Sequence, residues 1–406
     1  MKKKSICVIG LGYIGLPTAA LIANKGFSVS GVDTNQKVVS ALNQGEINTV
    51  EADLSKFIKS AISSGKLKFF SNIQQSDVYM ICVPTPLHII NDKPHPNIDH
   101  VLEATKSFAS FIKPGDLIIL ESTSPVGTTE KIQKILSNYS ANLEDIHIAY
   151  CPERVLPGKI MTELVENDRI VGGINSVSTK KIKDFYSLFV KGKIFDTDAK
   201  TAEMCKLAEN SFRDLNIAFA NELSIICENN EIDVWNLISL ANKHPRVNIL
   251  NPGAGVGGHC IAVDPWFIIS QNYENANLIR KSREVNNYKT KWVIDKIKLK
   301  AKNYYLKKNV KPKILCLGLA FKPDIDDLRE SQALKIVETL LSDGYEINVV
   351  EPNIASYKNF KLFKLIDGIE NADIICILVK HREFLQSKIK NKLIKLGALD
   401  YCGALN

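Results

Sequence analysis

The feature that most limits how this chain can fold is a plan that it uses twice, once near each end. "KSICVIGLGYIGLP" leads through a helical run into "NKGFSVSGVD", and "KILCLGLAFKPD" is followed by "SQALKIVETLLSDGYEINVVEP". Each copy is an apolar strand, a glycine turn, an amphipathic helix and a second strand ending in an acid. The strands that come next also correspond, "DVYMICVPTP" and "ADIICILVKH". Strands alternating with helices build right-handed βαβ units around a parallel sheet. The expected fold is therefore α/β, with two Rossmann-like doubly wound parallel-sheet domains joined by a central helical region. In that region "TAEMCKLAENSFRDLNIAFANELSIICENN" has apolar residues at helical spacing and neither proline nor glycine, which predicts a long helix. Such a helix is either a dimerisation element or a buried core helix. A second helical run covers roughly 276–300, and the basic "KLKAKNYYLKKNVKPK" reads as the connection into the C-terminal domain. A chain of 406 residues is too long for one ordinary core, and the expected domains are 1–198, 199–303 and 304–406.

Composition narrows the class. Hydrophobic residues at 45% and charged residues at 24% are the balance of a globular protein, and no apolar run is long enough to span a membrane. The basic start "MKKKSICVIG" runs straight into the first strand and turn, so it reads as part of the fold rather than a signal peptide. Nine cysteines occur singly, without a CxxC pair, and Cys7, Cys82, Cys316 and Cys376 sit in apolar runs. That usage fits a reducing cytoplasm. The net charge of +8 suits a lysine-rich surface or attraction of small anions. No basic stripe interleaved with aromatics points to nucleic acid. The histidines of "HIINDKPHPNIDH" suggest a loop followed by a helix capped at Asn97, with Asp99 in its first turn, rather than a metal site.

"GLGYIG", with Gly10, Gly12 and Gly15, fits GxGxxG between a strand and a helix, and Asp33 ends the next strand. Gly10 allows the tight turn. Gly12 lets the backbone approach a pyrophosphate at the positive end of the helix. Asp33 can hold a ribose diol and repels a 2′-phosphate, which favours NAD; a flavin uses the same fingerprint. The C-terminal copy, "GLAFKPD", has one glycine and should bind something else, and Lys322 and Arg329 lie where anionic groups would dock or where surface charges would sit.

Cys260 differs from the other cysteines because it ends a glycine-rich loop, "GAGVGGHC". Glycines permit close approach of backbone to a substrate. Beside a nicotinamide site such a thiol suggests covalent catalysis. An aldehyde made by one hydride loss can add a thiolate, lose a second hydride and become a thioester that water releases as an acid. The alternative is a structural or metal-binding thiol, with His259 alongside. Lys206 and Asn210 stand four apart, hence on one helical face. Glu153 follows a strand-like run and Thr123 ends another, where α/β sheets gather ligands.

"GLGYIGLP", "CVPTP", "ESTSPVG", "CPERVLPG", "KLAENSFRDLNIAFANE", "GVGGHCIAVDPW" and "FKPDIDDLRES" occur in that order over nearly the whole chain. In this the sequence resembles the UDP-glucose/GDP-mannose dehydrogenase family. The resemblance implies an N-terminal NAD domain, a central dimerisation region and a C-terminal UDP-binding domain in a cytoplasmic homodimer. It implies Cys260 as nucleophile, Lys206 and Asn210 as oxyanion donors, Asp264 and Thr123 as water-positioning residues and Glu153 as the hydrolytic base. Cofactor contacts implied are Gly10, Gly12, Tyr13, Ile14, Gly15, Asp33, Pro84, Thr85, Thr123 and Arg329. Substrate contacts implied are Arg154, Lys206, Asn210, Arg246, Gly257, His259, Phe321 and Lys322. His259 and Val263 stand where glucose-type members carry serine and lysine, which resembles the branch acting on N-acetylated sugars. The UDP-sugar expected is UDP-N-acetyl-D-mannosamine, oxidised at C6 by two NAD⁺ per turnover, with UDP-N-acetylglucosamine or UDP-glucose as alternatives. A regulator that binds NAD without catalysis is the reading of another class.

Overall fold

A computed structural model describes residues 4–47, 52–139, 145–155 and 159–406. The chain divides into two compact units, one of Met1–Ala208 with Trp266–Gln271 and one of Glu209–Pro265 with Asn272–Asn406.

The first unit has strands β1 (Ser5–Ile9), β2 (Ser28–Val32), β3 (Leu67–Phe70), β4 (Val78–Ile81), β5 (Leu87–Ile90), β6 (Lys93–Pro96), β7 (Leu117–Leu120), β8 (His147–Tyr150), β9 (Arg169–Gly173) and β10 (Ile194–Asp198). Eight of these form one sheet in the order β10-β9-β8-β7-β4-β1-β2-β3. The chain leaves β1 toward β2 on one side and resumes at β4 on the other, so the switch point lies between β1 and β4. Alternate residues of β1 serve opposite faces: Ile6 and Val8 pack with Ala19–Ala23 of helix Gly15–Asn24, while Cys7 and Ile9 pack with Tyr79, Phe108 and Ile118. Both faces are covered, which is why these strands read as unbroken apolar runs. The sheet is parallel except where β8 meets β9, which pair antiparallel. The connection through helix Ile160–Glu166 thus brings the chain back into the sheet in the opposite sense, making it mixed.

The segment holding the histidines is not a plain loop. β5 and β6 form a hairpin in which His88 faces His95, turned by Asn91 and Asp92 at φ 49° and 60°. Two residues with left-handed φ make the turn that matches strand twist. Pro94 and Pro96 hid this hairpin from sequence reasoning, because proline argues against strand pairing. Helix Asp99–Phe108 follows, with Asp99 in its first turn; its N-cap is Ile98, and Asn97 accepts the Asp99 amide at 2.7 Å through its side chain.

In the second unit β11 (Lys313–Leu317), β12 (Glu346–Val350), β13 (Ile374–Ile377) and β14 (Leu399–Asp400) form a fully parallel sheet in the order β12-β11-β13-β14. The long helix, Ala199–Asn229, carries the chain into this unit. Helix Asn277–Lys308 runs through the segment expected to be a connection and ends only at Asn309, at φ 55°. Nothing in "KLKAKNYYLKK" breaks a helix. Trp292, Val293, Ile294, Ile297 and Ala301 give it a buried face against Ile314 and Cys316 of the sheet.

At the carboxyl end of β12, Glu351 takes the amides of Leu319 (2.7 Å) and Ala320 (3.0 Å) and contacts His381 Nε2 at 3.0 Å. Since His381 Nδ1 accepts the Asp324 amide, its Nε2 is the donor toward Glu351. Burial works to raise the Glu351 carboxyl, but the His381 hydrogen bond and the backbone donors outweigh it, holding the group at about 2. Glu351→Gln is expected to cost about 1–3 kcal/mol at neutral pH. A carboxyl depressed from 4.5 to about 2 stabilises fully above its unfolded value and loses that contribution as pH falls through the folded one. Melting curves of the two proteins should therefore converge between those values, and curves that stay parallel down to the acid end would contradict this account.

Candidate active site

In the first unit the glycine turn is built by exclusion. Gly10 sits at φ +94°, and a Cβ there would lie 2.6 Å from the Cys82 carbonyl oxygen, so only glycine fits between β1 and β4. At Gly12 a Cβ would meet nothing within 4 Å, which leaves open space above the turn and the start of helix Gly15–Asn24. Asp33 Oδ2 accepts the Leu11 amide at 2.9 Å and Oδ1 the Asn35 amide at 2.9 Å. A carboxylate has about four acceptor positions, so a diol can still bind it. Tyr13 is exposed on this turn and Ile14 half-buried. An open cradle at a helix N-terminus with an acid ending the second strand fits a dinucleotide.

The loops after β4, β7 and β8 meet beside it. Thr85 Oγ1 donates to the Thr123 carbonyl at 2.7 Å, and Ser122 Oγ donates to that of Val83 at 2.7 Å. Pro84 is exposed between them. Glu153 is buried: Oε2 takes Arg169 at 2.7 Å and Oε1 takes the Arg154 amide at 2.6 Å. The Arg154 guanidinium donates to the Asp168 carbonyl at 3.3 Å. Lys206, on the long helix, donates to the Glu153 carbonyl at 2.8 Å. One turn earlier, Glu203 accepts the amides of Gly127 at 2.6 Å and Thr129 at 2.8 Å. The first turns of that helix thus pin both loops, "SPVGT" through Glu203 and "CPER" through Lys206. Glu121, beneath them, accepts from Cys82 Sγ at 3.0 Å and from Tyr186 OH at 3.2 Å. Burial, with the charge of Glu153, pushes its carboxyl up to about 7.

In the second unit Asn210 donates to Asp264 Oδ2 at 2.5 Å, and the Asp264 amide donates to the Cys260 carbonyl at 2.8 Å. The glycines before Cys260 are packed against the 318–331 segment. Gly258 has φ +84°, and its Cβ would fall 2.9 Å from the Phe321 ring; at Gly257 it would fall 2.5 Å from the Glu330 carbonyl oxygen. The loop is also held from its own end. Asn221 accepts the Gly253 amide at 2.8 Å and donates to Asn286 at 2.9 Å, and Asn286 donates to Asp214 at 2.7 Å. Asp214 pairs with Arg283 at 2.6 Å, and both are buried. His259 Nδ1 lies 4.0 Å from Asp327 Oδ2, and Arg329 forks onto the same carboxylate. Lys322 is half-buried in this segment, and Arg246 is exposed after helix Val234–Ala241.

Sequence reasoning missed Arg169, Glu121, Glu203, Asp214 and Arg283. Charged residues inside strands and helices were the available signal, because a buried charge demands a partner.

Patterns of the UDP-glucose/GDP-mannose dehydrogenase family match the chain in three blocks: its NAD binding domain at 4–190, its central domain at 200–288 and its UDP binding domain at 315–404. A UDP-N-acetyl-D-mannosamine dehydrogenase of Campylobacter jejuni is 51% identical over 398 residues, 94% of this chain and 96% of that protein. An NDP-N-acetyl-D-galactosaminuronic acid dehydrogenase of Ralstonia nicotianae is 47% identical over 395 residues, 94% of this chain and 92% of that protein. Among solved structures, a UDP-D-ManNAc dehydrogenase from Pyrococcus horikoshii superposes with a TM-score of 0.88 at 37% identity, covering 99% of this chain and 96% of that one.

The packing of the cysteine loop makes one contrast measurable. Gly258→Ala must displace the Phe321 ring and strain the backbone, costing about 1–3 kcal/mol. Gly253→Ala meets only a carbonyl oxygen at 3.7 Å and is expected to be tolerated. Melting temperature and the rate at which iodoacetamide labels Cys260 should change in the first variant and hold in the second.

Proposed function

The chain belongs to the UDP-glucose/GDP-mannose dehydrogenase family, and from that premise we propose that it oxidises C6 of UDP-N-acetyl-D-mannosamine twice, giving the uronic acid. The observation that carries this reading is Cys260, at the end of a loop whose glycines are fixed by Phe321 and Glu330, in a chain half identical to a relative named for that substrate. The cofactor is NAD, which supplies hydride acceptance once for each oxidation.

The residues divide the work. Lys206 and Asn210 project from one helix and serve the alkoxide and the later oxyanions as donors. Cys260 adds to the C6 aldehyde as thiolate, forming a C–S bond and a tetrahedral thiohemiacetal. Loss of hydride from that carbon leaves a thioester. Water attacks the thioester, the C–S bond breaks, and the thiol is restored with release of the carboxylate. Asp264, steadied by Asn210, and Thr123, steadied by Thr85, position water, while Glu153 acts as base with Arg169 fixing its carboxylate. Asp33 holds the ribose of NAD, Arg329 takes a phosphate of the cofactor or the substrate, and Lys322 and Arg246 hold the substrate. The division into an NAD domain at 1–198, a central domain at 199–303 and a UDP-sugar domain at 304–406 accords with this. We place the reaction in the cytoplasm, where nine free thiols persist. Among the described residues no helix is long and apolar enough to cross a membrane.

The relative named for an N-acetyl-galactosaminuronic acid supports a second reading, the same chemistry on another N-acetylated UDP-sugar. A panel of UDP-sugars followed by NADH release decides between them. On the preferred sugar, two NADH are expected per uronate. Cys260→Ala should make no acid, and full two-NADH turnover by that variant would refute the covalent step.

The partner is a second copy of the chain. Phe212, Phe219 and Ile226 stand at a seven-residue spacing on the long helix and are 69%, 52% and 50% exposed. Seven-residue spacing keeps one stripe on one face, the pattern by which helices pair. Phe212→Asp with Phe219→Asp should yield monomers by light scattering while NAD binding persists; an unchanged mass would remove this interface.

A further inference from the structure

We propose that Glu121 is a positioning residue for hydrolysis: it shares the buried Arg169 guanidinium with Glu153, it carries the one proton of that carboxyl pair, and losing the proton strengthens Glu153 as a base. The proposal rests on the reading of Glu153 as the hydrolytic base and adds a second acid that the reading does not use.

Among the described residues the cluster is two buried acids around one buried cation. Glu121, Glu153 and Arg169 are 3%, 8% and 1% exposed. One terminal nitrogen of Arg169 meets Glu153 Oε2 at 2.7 Å, and the other donates to the Leu164 carbonyl at 3.1 Å. Its Nε is buried and finds no hydrogen-bond partner among the described residues, so the guanidinium has a donor to spare for a second anion. The guanidinium carbon lies 5.6 Å from the centre of the Tyr186 ring, and the hydroxyl of that tyrosine donates to Glu121 Oε1 at 3.2 Å. Glu121 Oε2 takes the Cys82 thiol at 3.0 Å. Cys82 in turn backs the glycine turn of the cofactor cradle, its Cβ 3.1 Å from where a Cβ at Gly15 would stand.

Charge counting places the proton. Two ionised carboxylates around one guanidinium leave an unpaired anion in the interior, which is costly. Glu153 has the direct ion pair and the Arg154 amide at 2.6 Å, whereas Glu121 has the neutral thiol and phenol. The proton therefore sits on Glu121. A protonated Glu121 keeps both contacts, since a thiol or a phenol oxygen can accept where it donated.

The titratable groups facing Glu121 are Cys82 after β4, Cys151 and Glu153 after β8, Arg169 on β9 and Tyr186 on helix Ser176–Tyr186. Burial pushes both thiols and the phenol up, Cys151 to about 12, so they stay neutral through the neutral range. Glu121, raised by burial and by the charge of Glu153 to about 7, is the member that changes charge there. An anion newly formed beside Glu153 makes that carboxylate a stronger base. In hydrolysis a water gives its proton to Glu153, its oxygen bonds the thioester carbon, and the C–S bond breaks with the electron pair leaving on sulfur. A stronger base speeds that step.

The test follows thioester decay in a single turnover with UDP-N-acetyl-D-mannosamine and NAD, by acid quench and intact mass, across pH. Glu121→Gln keeps the shape and fixes the neutral form. The ratio of decay rates, unaltered protein to Glu121→Gln, should climb about three- to tenfold between about pH 6 and about pH 8. A residue that merely packs gives a ratio that does not move with pH. Infrared spectroscopy reads the proton directly and needs no active variant. With isotope-labelled glutamate, which sets aside Asp116 at about 6, the unaltered protein should show a protonated carboxyl that ionises near neutrality and is missing in Glu121→Gln. Glu153→Gln should lose that signal too, because Arg169 then pairs with Glu121. A flat ratio, the lack of such a titrating carboxyl, or its persistence in Glu153→Gln overturns the proposal. Failure of the underlying reading looks different: Glu153→Gln would then hydrolyse the thioester at the unaltered rate. A slow Glu153→Gln with a flat ratio removes only the Glu121 link.

Discussion

One hydrogen bond organises each of the two units: the amide after the strand-end glycine donates to an acid at the end of the neighbouring strand. In the first unit Leu11 donates to Asp33, and in the second Leu319 donates to Glu351. The surrounding ladder repeats as well. Gly10 bonds the Val32 carbonyl at 2.8 Å, and Gly318 bonds that of Val350 at 2.8 Å. A turn that leaves a strand with a positive-φ glycine exposes amides that must find acceptors. The acid meets that demand, and it fixes where the turn ends and the functional loop begins.

The two copies then diverge in what else the acid does. Asp33 stays half-buried with room for a diol. Glu351 is buried and bound by His381, which also takes the Asp324 amide. That contact, with the amides of Leu319, Ala320 and Asn353, engages the second acid with protein donors. It also steadies the "FKPDIDDLRES" segment, against which the cysteine loop packs. A structural acid in the sheet therefore reaches the proposed nucleophile through a chain of packed backbone.

The repeat, the fingerprint and the singular setting of Cys260 were legible because each is a local pattern: a period, a spacing of glycines, a cysteine outside an apolar run. What stayed hidden depends on residues distant in sequence. Arg169 reads as the polar start of a strand, and only the fold brings it to Glu153. Asp214 and Arg283 lie on different helices, and neither spacing nor composition pairs them. The hairpin of His88 and His95 was masked by prolines. The run of helix through Lys308 was masked by its charge, although a buried stripe of Trp292, Ile297 and Ala301 was present in the same sequence. The antiparallel β9 has no local signature, since one strand reads alike in either direction.

The ion pairs near the candidate residues of each unit fall into two kinds, and the difference assigns them different work. Glu153–Arg169 and Asp214–Arg283 are almost wholly buried, with side chains between 0% and 7% exposed. Removing one partner of such a pair leaves an uncompensated charge in the interior and costs about 3–5 kcal/mol. No ligand arriving at the surface has reason to exchange them, so they hold loops in place: Glu153 under the "CPER" turn, Asp214 under the Asn221–Asn286 brace of the cysteine loop. Asp327–Arg329 is different, because its arginine is half in solvent and an exposed pair contributes about 0–1 kcal/mol. The buried pairs therefore set the geometry of the loops they brace, and the exposed one contributes little to it.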